Sequence, residues 1–191
     1  LATHGTYRFR AQPSYGTLSN RVSITLPITV RSVNGPALTS ILGFRVPTNA
    51  FSDSSVRCAY VGKGATLIGS TLTNGSTRFT GDESDVDHQE SGGGAWCESS
   101  AVVSNCVFVV NAAAYFGGGV FGGTVFDSQF QSNSASSGGG GAYNSTLNNC
   151  LLTRCSATAG GGACNSTLDH CTLTFNSAPA DNGGGASSST L

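Results

Sequence analysis

The chain contains no methionine and a single tryptophan, and charged residues make up only 10% of its 191 residues. No apolar run approaches the ~20 residues that a membrane-spanning helix requires. Apolar residues do not recur at helical spacing, and they alternate only over short runs between Asn, Ser and Gly. These absences argue against a helical domain and against a membrane span in this segment, and they favour short strands.

The ends of the chain also lack the features of a complete protein. Without methionine, Leu1 cannot be a translation start, and Leu191 falls inside a repeat unit. We therefore expect a processed piece of a longer protein, with any signal peptide outside this sequence.

Charge is sparse but unevenly distributed. Eight of the nine Lys and Arg residues precede position 81, whereas nine of the ten Asp and Glu residues follow it. Two explanations stay open: local solvation of separate loops, or an axial dipole that orients head-to-tail contacts between copies of the chain. The formal net charge of −1 disfavours a nucleic-acid partner.

Glycine, with 27 residues, is abundant and periodic. Glycine triplets 117–119, 139–141, 160–162 and 183–185 begin units that are 22, 21 and 23 residues apart, and a longer unit opens at 92–94. A fixed period of this length is typical of stacked supersecondary units. We expect coils of short strands, each lying ~4.8 Å above its equivalent in the preceding coil.

Aligned units share columns of like residues, which we expect to stack as ladders. One column is Thr followed by Val or Leu, and others predict interior ladders of small and amide side chains. The predicted structural ladders are Cys106, Cys150 and Cys171, and Asn111, Asn133 and Asn176. Inward Asn side chains can satisfy turn carbonyls along such a stack.

The segment 139–157, GGGAYNSTLNNCLLTRCSA, and the segment 27–36, PITVRSVNGP, carry a family resemblance. They resemble the right-handed parallel β-helix repeat proteins of bacterial cell envelopes, which have polymorphic-outer-membrane-type repeats and varied C-terminal anchors. The resemblance implies an all-β solenoid with coils of ~21–25 residues. It also implies an extracellular or cell-surface location.

One domain accounts for residues 1–191, because each coil of a solenoid contacts only its neighbours. We divide it into irregular N-terminal coils with long loops, over 1–91, and regular glycine-triplet repeats, over 92–191.

Seven cysteines raise the question of disulfides. Residues stacked in register have nearly parallel Cβ vectors, which suit a disulfide poorly, so we expect reduced thiols in the Cys106 column. The state of Cys97, Cys155 and Cys164 stays open. No Cys pair has zinc-site spacing.

The acidic stretch 81–90 offers carboxylates that could bind Ca²⁺, with Asp82, Asp85 and Asp87 as the candidates. The spacing does not match an EF-hand, and we favour a solvated loop. No cofactor is predicted, with Ca²⁺ as the alternative.

A polar column contains catalytic candidates: Asp127 and His170, with Asp169 adjacent. Two coils separate Asp127 from His170, about the carboxylate separation of inverting glycosidases. The column is otherwise Asn, which a turn also favours. The Asn-Thr-Asp, Asp-Asp and Gly-His-Gly motifs of polysaccharide-cleaving β-helix enzymes are absent.

The sequence therefore predicts a non-catalytic extracellular scaffold or adhesin module, with self-assembly head-to-tail and glycan as candidate interactions. A polysaccharide-active enzyme or glycan-binding module is the alternative.

Overall fold

The computed structural model describes residues 1–48, 51–79, 86–179 and 183–191. Almost all regular structure in these ranges is short strand, and one four-residue helix, α1 (Val86–Gln89), precedes β9. The strands in chain order are β1 Gly5–Tyr7, β2 Gln12–Pro13, β3 Ser19–Ile24, β4 Thr29–Arg31, β5 Thr39–Leu42, β6 Val56–Val61, β7 Thr66–Ile68, β8 Thr71–Thr73, β9 Ala95–Cys97, β10 Val102–Ser104, β11 Val107–Val109, β12 Ala112–Ala113, β13 Val120–Phe121, β14 Thr124–Phe126, β15 Gln129–Gln131, β16 Ser134–Ala135, β17 Ala142–Tyr143, β18 Thr146–Asn148, β19 Leu151–Thr153, β20 Ala163–Cys164, β21 Thr167–Asp169, β22 Thr172–Thr174 and β23 Ala186–Ser187.

The strands form three large sheets and one pair. The eight-stranded sheet has the order β2-β3-β6-β9-β13-β17-β20-β23, the six-stranded sheet β4-β7-β10-β14-β18-β21, and the seven-stranded sheet β1-β5-β8-β11-β15-β19-β22, while β12 pairs with β16. Only β2 and β3 pair antiparallel among these strands. The predicted all-β class, with parallel sheets and almost no helix, is confirmed.

Successive strands of the chain enter the three large sheets in turn. β9, β10 and β11 belong to the eight-, six- and seven-stranded sheets respectively, and β13, β14 and β15 repeat that order. Each strand pairs in register with its equivalent in the next unit, as in the pairing of Val103 with Val125 and of Phe108 with Phe130. The repeat in the sequence thus becomes a repeat in the sheets.

The core lies along the inward column of each sheet. The Phe108 and Phe130 rings stack with centroids 4.6 Å apart and planes 2° from parallel. Both rings are fully buried, so the apolar ladder is continuous between successive repeat units. The buried ladders are Leu67, Val103, Val125, Leu147 and Leu168 in the six-stranded sheet, and Ile41, Leu72, Phe108, Phe130 and Leu152 in the seven-stranded sheet.

The glycine triplet serves two different needs. Gly117, the first of its triplet, has φ of 62°, in the region that favours glycine. The second and third glycines permit close approach of coils, because a Cβ on Gly119 would lie 2.5 Å from the carbonyl oxygen of Gly141.

No helix within the described ranges is long and apolar enough to cross a membrane.

Candidate functional site

The predicted polar column forms a row of corners between the six- and seven-stranded sheets. Asn105, Asp127, Asn149 and His170 all have left-handed backbone conformations, with φ between 49° and 54°. Asn and Asp tolerate this region better than most residues. Backbone geometry alone therefore accounts for three of the four residues in the column.

Side chains of this column and the adjacent strand form two separate, exposed hydrogen-bonded groups. The Nδ2 of Asn149 donates to Oδ1 of Asp127 at 2.7 Å. His170 Nδ1 lies 2.7 Å from Asp169 Oδ1, and Asp169 Oδ2 accepts a hydrogen bond from Asn148 at 2.7 Å. A carboxylate–imidazole pair is therefore present, but with His170 81% and Asp169 57% exposed.

A depression of about 360 Å³ lies along this row, lined by Asp127, Asn149 and His170 together with Gln129, Leu151 and Thr172. Asn149 lies between the Asp127 and His170 positions and is hydrogen-bonded to Asp127. General acid–base work gains from burial and fixed geometry, and ion pairs in water contribute little. The arrangement offers polar groups to a ligand but no enclosed reaction centre.

The metal candidates fall mostly outside the described residues. Asp82 and Asp85 lie outside them, and Asp87, in α1, is exposed. In the described residues, no three His, Cys, Asp or Glu side chains come together in a way that could hold a metal ion.

The end of the acidic stretch is packed, which corrects the expectation of a wholly solvated loop. Glu90 is only 1% exposed. Its carbonyl oxygen accepts hydrogen bonds from Thr77 Oγ1 at 3.1 Å and from the Tyr115 amide at 2.9 Å. The charge of a glutamate predicts an exposed side chain, whereas Glu90 is buried and its main chain is hydrogen-bonded to Thr77 and Tyr115.

All seven cysteines are free thiols. Cys106 and Cys150 are buried in one column, and the column member between them, Ser128, accepts a hydrogen bond from the Cys106 amide at 3.1 Å. Cys171 continues the column and is half-buried. Burial raises the pKa of the Cys150 thiol to about 12 and that of Cys106 to about 11, so both stay protonated and unreactive near neutrality.

The interior Asn column connects neighbouring coils. Asn133 Oδ1 accepts from both the backbone nitrogen and Nδ2 of Asn111, each at 3.0 Å. Asn133 Nδ2 donates to the Phe108 carbonyl at 2.9 Å. Farther along, Asn176 Oδ1 accepts from the amide of Cys155 at 2.9 Å. The amides thus satisfy buried backbone groups of the adjacent coil, which would otherwise carry a desolvation cost.

A buried arginine was missed by the sequence analysis. Arg57, on β6, is 2% exposed, and its guanidinium donates to Asn20 Oδ1 at 3.1 Å. It also donates to the carbonyl oxygens of His88, Ser91 and Gly92. Burial lowers the pKa of Arg57 to about 9. Arg57 attaches the segment 88–92 to the eight-stranded sheet, and no repeat in the sequence marked it.

An aromatic stack runs along the eight-stranded sheet and was also missed. Rings of successive coils lie nearly parallel, with Tyr60 to Trp96 at 5.4 Å, Trp96 to Phe121 at 6.0 Å and Phe121 to Tyr143 at 5.7 Å. His88 stacks on Trp96 at 4.9 Å, and the indole nitrogen donates to the Asp87 carbonyl at 2.7 Å. A column of four aromatic residues of three types gives a weaker signal than a column of one repeated residue.

Comparison with protein families, curated proteins and solved structures finds no match to this chain.

Proposed function

We propose that this chain is a right-handed parallel β-helix and that it acts as a non-catalytic scaffold or adhesin module on a bacterial cell envelope. The parallel in-register sheets support the architecture, because the chain enters each sheet once per unit. The resemblance of segments 27–36 and 139–157 to envelope repeat proteins supports the location.

The observation that carries the scaffold role is that buried polar side chains form hydrogen bonds between neighbouring coils. Asn111 and Asn133 are fully buried, and the side-chain amide of each donates to a neighbouring coil. A second corner does the same with serine, where the Ser145 amide donates to Ser166 Oγ at 3.2 Å. Such contacts resist separation of coils, which is what a stalk under tension requires.

A pulling experiment tests this role. Each coil of about 22 residues that opens should lengthen the chain by ~70–80 Å. Single-molecule force spectroscopy of the chain between two handle domains should show successive extensions of that size, at forces above those that unfold an ordinary helical control domain. Unfolding below that control, or a smooth extension without steps, would contradict the scaffold role.

A polysaccharide-active enzyme is the second candidate, favoured by the Asp169–His170 pair in its polar depression. Incubation with neutral and acidic polysaccharides, with and without Ca²⁺, should release no reducing ends or unsaturated products if the scaffold proposal is right. Turnover that is abolished by Asp127→Asn or His170→Ala would replace the scaffold proposal with the enzyme.

Head-to-tail association follows from the uneven charge. A basic N-terminal and an acidic C-terminal part favour a heterologous contact, which does not close and so builds filaments. Because such contacts are screened over ~8–10 Å near physiological salt, linear association should weaken as NaCl is added. Light scattering across a salt series checks this, and a monodisperse monomer at high concentration and low salt would refute it.

A further inference from the structure

The corners between the eight- and six-stranded sheets change length along the stack. Four residues, 98–101, connect β9 to β10, whereas only Gly122 and Gly123 connect β13 to β14 and only two residues connect β17 to β18. At this change of length lies a groove of about 330 Å³, bordered by Trp96 and Glu98 on one side and by Asn144 and Thr146 on the other. Its volume is in the lower part of the ~300–1,000 Å³ range of ligand pockets.

The groove is open because its floor is glycine. Gly122 and Gly123 have φ of 73° and 70°, where other residues are strained. A Cβ on Gly122 would lie 2.4 Å from the Cys97 carbonyl oxygen, and one on Gly123 2.7 Å from Cys97 Cβ. The next two units carry Asn144 and Asn165 at the Gly122 position, so the glycines create a local gap in the surface.

Side-chain hydrogen-bonding groups surround this gap. Glu98 is half-buried and its carboxylate accepts from the Tyr60 hydroxyl at 3.0 Å. Ser99, Asn144 and Thr146 are exposed, and in the described chain the Ser99 and Thr146 hydroxyls make no hydrogen bond. Groups that both donate and accept thus point outward around a shared space.

Main-chain groups at the groove are already paired. The Gly122 amide donates to the Tyr143 carbonyl at 2.9 Å, and the Gly123 carbonyl accepts from the Thr146 amide at 3.0 Å. An extended peptide therefore finds no strand edge to pair with. What remains is a set of hydroxyl, amide and carboxylate groups beside the edges of the Trp96 and Phe121 rings, which matches a ligand of many hydroxyls and apolar C–H faces.

We propose that this groove binds a neutral oligosaccharide. Among the described residues that line the groove, Glu98 is the only charged one, and its carboxylate opposes uronic acids and sulfated sugars. The stacked rings present edges rather than faces, so hydrogen bonds supply most of the affinity. The inference goes beyond the scaffold role and stands independently of it.

Trp96 makes a direct test available, because it is the only tryptophan in the chain and it lines the groove. Its fluorescence should change saturably with at least one of maltotriose, cellotriose and triacetylchitotriose. Trigalacturonate should bind about ten-fold more weakly than the best neutral sugar. No saturable response to any of the three neutral probes, or tighter binding of trigalacturonate, would overturn the proposal.

Matched variants localise the binding. Thr146→Val should weaken binding about five-fold, as for one net hydrogen bond, whereas Thr167→Val, at the same position one coil farther and outside the groove, should leave it within about two-fold. Glu98→Gln should reduce the difference in affinity between the neutral sugars and trigalacturonate. Equal effects of the two Thr variants, or a saturable response to a Gly-Ser-rich peptide instead of sugar, would overturn the site.

Urea unfolding of each variant confirms that folding is intact. The pulling experiment tests the scaffold role and does not depend on the groove. If the chain unfolds stepwise under force but binds none of the neutral sugars, this inference is refuted and the scaffold proposal stands.

Discussion

The N-terminal and C-terminal halves hold their coils together with different kinds of contact. In the regular half, the same bond recurs from unit to unit: the Ser145 amide donates to Ser166 Oγ, and the Ser166 amide donates to Ser189 Oγ, each at 3.2 Å. In the irregular half, single residues make several unrelated contacts: Gln89 Oε1 accepts from the backbone nitrogens of Thr17 and Leu18 at 2.9 and 3.2 Å. Stability is therefore distributed in one half and concentrated at a few residues in the other.

This contrast predicts that the substitution with the largest effect on the free energy of unfolding lies in the irregular half. Arg57→Leu should have the largest effect, lowering the free energy of unfolding by about 3 kcal/mol or more. It leaves three buried acceptors, on Asn20, Ser91 and Gly92, and the part-buried His88 carbonyl without their donor. Urea denaturation followed by Trp96 fluorescence measures the loss.

The matched control is Arg154→Leu, because Arg154 is exposed and its guanidinium packs 5.9 Å from the Phe175 ring centroid. It should change stability by less than about 1 kcal/mol. Equal effects of the two substitutions would contradict the structural role of Arg57.

The next prediction concerns the glycines that allow coils of the regular half to approach closely. Gly141→Ala should cost about 1–3 kcal/mol, because its Cβ would lie 2.6 Å from the Gly162 carbonyl oxygen and the backbone must move. Gly185→Ala occupies the same column, but its Cβ would lie 3.7 Å from Leu173, an ordinary contact. Thermal unfolding followed by circular dichroism should rank Gly141→Ala well below Gly185→Ala; the reverse order would refute the packing argument.

Substitutions in the interior Asn column should lower the free energy of unfolding by less. Asn133→Leu should cost about 2 kcal/mol, because it leaves the Asn111 amide and the Phe108 carbonyl unsatisfied. Asn133→Cys should cost less, since Cys155 already occupies the next position of this column and its Sγ lies 3.9 Å from Asn133 Nδ2. Urea denaturation compares the two, and a larger loss for Cys than for Leu would contradict the ladder.

Alkaline pH should destabilise both halves through their buried thiols. The folded-state pKa of Cys58, Cys97 and Cys150 is raised to about 12, so each thiol contributes stability that is fully present below pH ~9 and is lost as pH rises toward 12. The contribution of Arg57 to stability changes with pH in the opposite direction, because its pKa is lowered to about 9 and its charged form is the disfavoured one. The thiols outnumber this single arginine, so the net effect of alkaline pH is a loss of stability.

Cys150→Ala isolates one thiol. It should reduce the loss of stability above pH 9 by up to ~1.4 kcal/mol per pH unit, whereas Ser128→Ala, in the same column, should leave the slope unchanged. Urea denaturation between pH 8 and 11 in a reducing buffer measures both slopes. An unchanged slope for Cys150→Ala would refute burial of a neutral thiol there.

The sequence by itself determined the repeat and the columns that stack. Residues such as Val125, Leu147 and Leu168 recur at one interval, and parallel pairing at a constant interval places like residues in register. The exposed Asp127, Asn149 and His170 column could be predicted in the same way, because its period is that of the backbone turn.

Only the tertiary structure decided the burial of Arg57, the packing of Glu90, the aromatic stack on Trp96 and the groove over Gly122. These depend on residues that recur at no fixed interval, such as His88 and Asn20 around Arg57. A periodic sequence predicts which residues pair, because each repeat unit pairs in register with the next. Contacts made once have no period, and they form only when the paired sheets bring distant segments of the chain together.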